Sequence, residues 1–161
     1  MFDPTHLIFL HGLEGTSQGV KATLLRSLFP EMSTPDFPGP LDERMTKLYR
    51  ICGMEVNWTI IGSSYGGLMG ALFTCHHPNQ VRKLVLLAPA LVLPEFADQP
   101  PAPVEVPTIV YHSRIDEIVP YEPTRKLAEQ VFKNLSYHAV DDDDHGLYKL
   151  VYRIDWPTIL A

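Results

Sequence analysis

Along the chain, short apolar runs alternate with longer stretches in which apolar residues recur every three or four positions. The apolar runs predict buried strands at 7–10, 58–62, 84–87, 108–111 and 135–140, with a marginal strand at 32–34. Helical spacing predicts helices at 20–28, 41–52, 68–77, 121–132 and 147–154, the last with a possible extension into 156–157. This alternation predicts the α/β fold class: a doubly wound, mostly parallel six-stranded sheet with helices on both faces.

The segment 89–107 is the one long stretch outside this alternation. It contains six prolines, so we expect an extended surface loop without helices of its own. Neither side of this loop has enough strands to close a core alone. We therefore expect a single domain over residues 1–161.

Composition narrows the possible partners and compartments. The 161 residues include 13 Lys and Arg against 19 Asp and Glu, a net charge of −6, whereas nucleic acid and anionic membranes attract clustered cations. No apolar run approaches the roughly 20 residues needed to span a bilayer, and no signal peptide is apparent. Cys52 and Cys75 are too few for a disulfide framework. We expect a soluble cytoplasmic protein, monomeric or homodimeric, that binds neither nucleic acid nor membrane.

The segment Gly62-Ser63-Ser64-Tyr65-Gly66 carries the chemistry. It reads G-x-S-x-G and falls between a predicted strand and a predicted helix. In a nucleophile elbow the central serine occupies a strained strand-to-helix turn, and the backbone passes so close that the flanking positions must be small. The pattern therefore predicts Ser64 as a nucleophile and Ser63 as its neighbour without a chemical role.

A serine hydroxyl needs a base to take its proton, and the base needs an acid to orient it. Asp116 follows the strand at 108–111, and His145 lies between the last strand and the last helix. The chain order Ser64, Asp116, His145 is the order expected when an acid and then a histidine follow the elbow. These three residues are the predicted catalytic set.

Two alternatives stay open. His112 is the strongest rival base, although its place before Asp116 on the same strand end favours a wall or orienting role. Asp143 or Asp144, in the acidic run at 141–144, could replace Asp116 as the orienting acid, although such a run is typically a solvated loop. The run lacks the spacing of a calcium loop, so no metal site is expected.

An attacked carbonyl develops negative charge on its oxygen, which needs N–H donors. The residue after the nucleophile, Tyr65, supplies one backbone N–H, and we expect Leu13 in the loop His11-Gly12-Leu13-Glu14-Gly15 to supply the other. His11 and Gly12 are then expected at the substrate site, and Glu14 is expected to point outward. Met69, Phe96 and Tyr121 are candidates for further pocket lining, with Met69 at the substrate site, although apolar residues at such positions are more often core.

These motifs resemble those of the α/β-hydrolase superfamily. The resemblance rests on His11-Gly12-x-x-Gly15, the elbow around Ser64, the segment from Ser113 to Pro120 that contains Asp116, and His145-Gly146, and it runs over nearly the whole chain. Within the superfamily the chain is similar to small, lidless bacterial esterases of the YqiA type. The resemblance implies a minimal version of the fold that lacks the usual antiparallel N-terminal strands and the cap.

The function expected from these residues is that of a carboxylesterase which cleaves small or short-acyl esters through an acyl-enzyme, without metal or cofactor. Its partner would be a small-molecule ester. A thioesterase or amidase would use the same residues, because the elbow does not encode the leaving group. From a different class, a non-catalytic module of the same fold could bind a ligand or a protein, but binding alone does not need the full set of nucleophile, base, acid and donors.

Overall fold

The computed structural model describes residues 1–161 and contains one sheet of five parallel strands in the order β1-β2-β3-β4-β5. The strands are β1 (Leu7–Leu10), β2 (Trp58–Ser63), β3 (Val81–Leu87), β4 (Thr108–Ser113) and β5 (Leu135–Val140). The first three are almost entirely buried, as continuous apolar runs require of strands covered on both faces. The α/β class and the predicted positions of these five strands are confirmed.

Helices connect the strands. They are α1 (Val20–Leu28), α2 (Leu41–Cys52), α3 (Tyr65–His76), α4 (Pro94–Ala97), α5 (Tyr121–Val131) and α6 (Trp156–Leu160). Short 3₁₀ turns occupy Pro4–His6, Pro78–Gln80 and Leu150–Tyr152. No helix here combines the length and the hydropathy that a membrane span requires.

The prediction of a sixth strand at 32–34 is wrong. Ser33 forms only an isolated parallel bridge with Ile8 on the outer side of β1, with backbone bonds to Leu7 and Phe9. Prolines at 30 and 35 close this segment on both sides. Since proline has no N–H to donate and restricts the residue before it, the ladder cannot extend beyond the bridge.

Two further expectations need correction. The proline-rich segment after β3 contains a helix, α4, although it is only four residues long and begins on Pro94. Proline is tolerated at the first helical position because its missing N–H would be unpaired there anyway. The predicted closing helix at 147–154 is instead a 3₁₀ turn, and α6 follows it with Asp155 as its N-cap and Pro157 in its first turn.

Two apolar clusters lie on opposite faces of the sheet. The larger one contains 26 buried residues, including Leu48 of α2, Phe73 of α3 and Ala128 of α5. The smaller one contains 14, including Leu25 of α1 and Trp156 of α6. Helices on both faces, as predicted, are therefore present.

The position of α1 follows from a reversal in the path of the chain. After β1 the chain moves outward through α1 to Ser33, and it then returns through α2 to β2 on the other side of β1. Because parallel crossovers are right-handed, this reversal places α1 on the face opposite α2. In open α/β sheets, ligands bind beside such a reversal, at the carboxyl ends of the strands. The loops after β1 and β2 occupy that place here.

Candidate active site

Ser64 lies in the turn between β2 and α3. Its backbone angles, φ 55° and ψ −112°, are ones that residues other than glycine rarely adopt. The turn is held by close backbone packing. A Cβ on Gly62 would lie 2.4 Å from the carbonyl oxygen of Gly66, and a Cβ on Gly66 would lie 2.0 Å from that of Leu10. Only glycine fits at these two positions, and this is the sterically required elbow that the sequence pattern predicts.

Three chain crossings bring Ser64, His145 and Asp116 together at one edge of the sheet. The ring Nε2 of His145 lies 3.0 Å from Oγ of Ser64, and its Nδ1 lies 2.7 Å from Oδ2 of Asp116. The Asp116 side chain is fully buried, whereas that of His145 is 23% exposed. The imidazole therefore connects a buried carboxylate to a hydroxyl that reaches solvent.

The environment of Asp116 keeps its carboxyl ionised. Burial raises the pKa of Asp116, but the backbone N–H of Val119, the His145 ring and the N–H of Ile118 lower it by more, and the net pKa lies below its ordinary value. The two amides donate to Oδ1 at 2.7 and 2.8 Å. Since an ionised carboxylate can only accept, Nδ1 of His145 carries the hydrogen and Nε2 is free to accept from Ser64.

A second histidine contacts the same carboxylate. Nε2 of His112 lies 3.2 Å from Oδ2 of Asp116 and 3.0 Å from the carbonyl oxygen of Val119. A carbonyl only accepts, so this nitrogen carries a hydrogen, and Nδ1 accepts from the Tyr137 hydroxyl at 2.7 Å. Burial lowers the pKa of His112 more than these contacts raise it. His112 is thus a neutral, buried partner of Asp116 rather than a neighbour of Ser64.

The backbone N–H groups of Leu13 and Tyr65 donate to no protein acceptor. Both residues line the same cleft as Ser64 and His145. Tyr65 is the first residue of α3, where a helix has unpaired N–H groups and a partial positive charge. The two amides therefore meet the requirement for donors that remain free until a substrate oxygen arrives.

Arg44 is a residue that the sequence reasoning missed. Its guanidinium donates to the carbonyl oxygens of Leu13 at 3.2 Å and Gly39 at 3.0 Å, and lies 5.0 Å from the centre of the Tyr65 ring. It is only 3% exposed, although it is an arginine on a helix. The available signal was its position on the apolar stripe of α2, three residues after Leu41.

The site opens into a cleft of about 500 Å³. Gly12 lines it as predicted, and Glu14 lies at its margin with an exposed side chain. Met69 does not line it: the residue is fully buried in the larger apolar cluster, because the face of α3 that carries it packs into the protein. Phe96 is likewise core, and Tyr121 is buried beside the ring of His112.

His11 also lies outside this cleft. Its Nδ1 is 2.7 Å from the carbonyl oxygen of Gly12, and its Nε2 accepts from the N–H of Phe37 at 2.8 Å. Both ring nitrogens are therefore occupied inside the protein, and the residue is 5% exposed. The structure replaces the predicted substrate contact with a brace that ties the loop after β1 to the loop before α2.

The acidic run at 141–144 orders its own loop. The Asp143 carboxylate accepts from the N–H groups of Asp144, Lys149 and Leu150, and Asp144 accepts from that of Gly146. Neither carboxylate has a hydrogen bond to His145, whose Nδ1 is taken by Asp116. Of the alternatives left open by the sequence, Asp116 is the acid that the fold places beside the ring.

Comparison with known proteins identifies the fold. No protein-family model and no curated protein sequence matches the chain. A mouse protein, alpha/beta hydrolase domain-containing protein 10, is similar in structure, with a TM-score of 0.77 at 18% identity over 99% of this chain and 91% of that one. A hydrolase of the alpha/beta superfamily from Xanthomonas campestris gives 0.76 at 22% identity over 92% and 94%. The monoacylglycerol lipase of Paleococcus ferrophilus gives 0.71 at 15% over 96% and 94%.

These likenesses cover nearly the whole of each chain. The protein therefore has the α/β-hydrolase fold, as the resemblance of its motifs predicts. At these identities the comparison gives the fold and not the substrate, and the resemblance to esterases of the YqiA type stays a prediction.

Proposed function

We propose that this protein is a serine hydrolase of the carboxylesterase type that cleaves small or short-acyl esters. One observation carries the proposal: the His145 ring lies 3.0 Å from the Ser64 hydroxyl and 2.7 Å from the Asp116 carboxylate. A serine hydroxyl is a weak nucleophile until a base held in the correct tautomer can take its proton. This arrangement provides that base.

In the first half-reaction Oγ of Ser64 attacks the ester carbonyl carbon while its proton passes to Nε2 of His145. The carbonyl oxygen becomes an oxyanion and accepts hydrogen bonds from the N–H groups of Leu13 and Tyr65. Asp116 stabilises the imidazolium through Nδ1–H. The carbon–oxygen bond to the alcohol then breaks, and His145 returns the proton to the departing oxygen.

The second half-reaction removes the acyl group. Water gives a proton to Nε2 of His145 and attacks the carbonyl carbon of the acyl-enzyme. The oxyanion forms again on the same two donors and collapses as the bond to Ser64 breaks. The proton returns from His145 to Oγ, which restores the starting state and releases the acid. Each step uses only residues of this chain and water.

The size of the cleft supports the proposal that the substrates are small. Its volume is about 500 Å³, and the only helix in the segment between β3 and β4 is the four-residue α4. Little chain is therefore present to enclose remote parts of a long substrate, and binding energy from such parts is limited. The ester class is supported by one similar structure, which is named as a monoacylglycerol lipase.

The two free thiols are consistent with a reducing compartment. We therefore propose that the protein is cytoplasmic, as its sequence predicts. Cys52 and Cys75 form no disulfide. Burial raises the pKa of each thiol to about 12, so neither is a reactive nucleophile at neutral pH. Ser64 is therefore the nucleophile that the proposal requires.

Fluorophosphonate labelling tests the proposed function. A serine activated by its neighbours forms a covalent adduct with the probe, and peptide mass spectrometry should place that adduct on Ser64. Ser64→Ala should abolish labelling and lower the rate of 4-nitrophenyl acetate hydrolysis by about 10⁴–10⁶-fold. Ser63→Ala is the matched control and should keep labelling and rate near those of the wild type. Folded protein that neither labels nor hydrolyses the ester would contradict the proposal and favour a binding module.

A further inference from the structure

One cation lines the cleft. Lys21, the second residue of α1, shares the cleft with Ser64 and His145. Its ammonium lies 4.5 Å from the centre of the Tyr148 ring, which comes three residues after His145. A ring face attracts a cation but leaves its hydrogen-bond donors unused. Lys21 is therefore placed beside the reacting groups with its donors available.

The state of Lys21 differs from that of every other lysine and arginine in the protein. It is partly buried, yet it forms no ion pair and donates no hydrogen bond. The other partly or fully buried cations all donate to an acceptor: Arg26, Arg44, Lys47, Arg82 and Lys83. Arg50 and Lys126, which also form no such bonds, are exposed to water. Lys21 alone is withdrawn from water without a polar partner.

The nearby carboxylates attract Lys21 but form no direct ion pair or hydrogen bond with it. Burial lowers its pKa to about 8, while Asp143 and Asp144 raise it, so the ammonium is still mostly protonated at neutral pH. Asp143 is already occupied by three backbone N–H groups, and Asp144 by that of Gly146. The Lys21 ammonium is partly desolvated and forms no direct ion pair, so its N–H donors are available to an anion from outside the protein.

The opposite side of the cleft is apolar. The loops after β3 and β4 contribute Ala90, Val92, Leu93, Ile118 and Val119. Ser64 stands at the end of β2, between β1 and β3 in the sheet, so it lies between this apolar side and the side formed by the loop after β1 and by α1. A substrate that spans the cleft would meet apolar groups on one side of its reacting carbonyl and a cation on the other.

We infer that Lys21 selects esters that carry an anionic group, a carboxylate or a phosphate, close to the scissile bond, with the apolar part of the substrate against the opposite side. This inference rests on the proposed function and names the substrate class of the same site. The Tyr148 ring helps to place the ammonium, and it packs so closely on Gly146 that a Cβ there would lie 2.3 Å from it.

Matched ester pairs test the inference at pH 7. For an anion on the acyl side the pair is 4-nitrophenyl hemisuccinate and its methyl ester. For an anion on the alcohol side the pair is 3-acetoxybenzoate and its methyl ester. The wild type should prefer the charged member of at least one pair by about tenfold in kcat/KM, as a charge-assisted contact implies. The pair that shows the preference identifies the side of the ester that faces Lys21.

Substitutions assign the preference to the side chain. Lys21→Met keeps an unbranched apolar side chain of similar length at this position and should lower kcat/KM for the charged ester by about tenfold while the neutral ester changes less than about threefold. Lys21→Arg should keep the preference, and Lys126→Met, at an exposed position of α5, should change neither ester. Glu14→Gln removes the only carboxylate that lines the cleft and should raise the preference slightly, because Glu14 is exposed and screened.

A binding measurement separates this inference from the proposed function. Calorimetric titration of Ser64→Ala with the same esters should show tighter binding of the charged member, and Ser64→Ala with Lys21→Met should remove the difference. Absence of a preference in both pairs, or an equal loss for charged and neutral esters in Lys21→Met, would overturn the role of Lys21. If the probe does not label Ser64 and the protein does not hydrolyse esters, only the proposed function is overturned. The calorimetric titration would still measure the effect of Lys21 on binding.

Discussion

Around Ser64 the chain is held by close packing of backbone atoms, whereas around Asp116 it is held by hydrogen bonds to one carboxylate. The turn at Ser64 leaves no space for a Cβ at Gly62 or Gly66. The Asp116 carboxylate instead lies among two amides and two imidazoles, from His145 and His112. The nucleophile therefore depends on the fold itself, while the acid and base depend on replaceable polar contacts. Substitutions in the two regions should fail in different ways.

Loss of the Asp116 charge should have the largest effect in this comparison. In Asp116→Asn the amide can donate to Nδ1 of His145, which favours the tautomer that cannot accept from Ser64, and kcat should fall by about 10³–10⁴-fold. Steady-state assays with 4-nitrophenyl acetate measure the loss of kcat, and circular dichroism should show an unchanged fold. Asp144→Asn is the matched control, and a loss there equal to that in Asp116→Asn would move the acid to the 141–144 run.

A single added carbon in the other region should damage the fold instead. In Gly66→Ala the Cβ would meet the backbone of Leu10 at 2.0 Å, and backbone cannot move aside as a flexible side chain can. We expect the free energy of unfolding to fall by about 4 kcal/mol or more in urea titration. Gly19→Ala, whose Cβ would lie 3.4 Å from its nearest neighbour, should cost under about 1 kcal/mol. Equal effects would contradict the steric account.

Arg44 should have a smaller effect, confined to turnover. Arg44→Met removes the guanidinium that holds the Leu13 carbonyl and covers the Tyr65 ring, so both oxyanion donors lose part of their support. We expect kcat to fall about tenfold with little change in KM, because the donors act on the transition state more than on the bound ester. Arg50→Met, on the exposed side of the same helix, is the control. An unchanged kcat would remove Arg44 from the site.

The burial of His112 and the hydrogen bonds to Asp116 should also make stability depend on pH. The folded protein lowers the pKa of His112 below 6.5 and that of Asp116 below 3.8, so the unfolded chain binds more protons in acid. The free energy of unfolding should fall as pH drops below about 6.5, by at most about 1.4 kcal/mol per pH unit for each group, and further below about 4. His112→Asn should flatten the first part of this decline in urea titrations, and an unchanged slope would contradict the assignment.

The region held by backbone packing is also the region that the sequence predicts best. Glycines at fixed positions around Ser64 are a steric requirement that a local pattern can display, and the order of Asp116 and His145 follows from the elbow once strands are placed. Contacts between distant residues leave no such local pattern. The bond of Arg44 to Leu13, 31 residues away in the chain, depends on how α2 packs, so a composition or spacing rule does not reveal it.

The same distinction explains the errors. Met32 to Thr34 has the residues of a strand, but flanking prolines prevent a ladder, so local propensity and pairing disagree. The sequence predicts Met69 as pocket lining, yet α3 is buried on nearly all sides and its apolar positions do not distinguish pocket from core. The brace formed by His11 likewise depends on Phe37, 26 residues away in the chain.

The backbone conformation of Ser64 has a consequence for how this position would change in evolution. A glycine at this position would adopt φ 55° and ψ −112° without the steric penalty that serine carries, so folding alone favours glycine. Serine is retained there only while its hydroxyl is needed. In lineages where the reaction ceased to matter, drift toward glycine at position 64 would be expected before the rest of the turn changed.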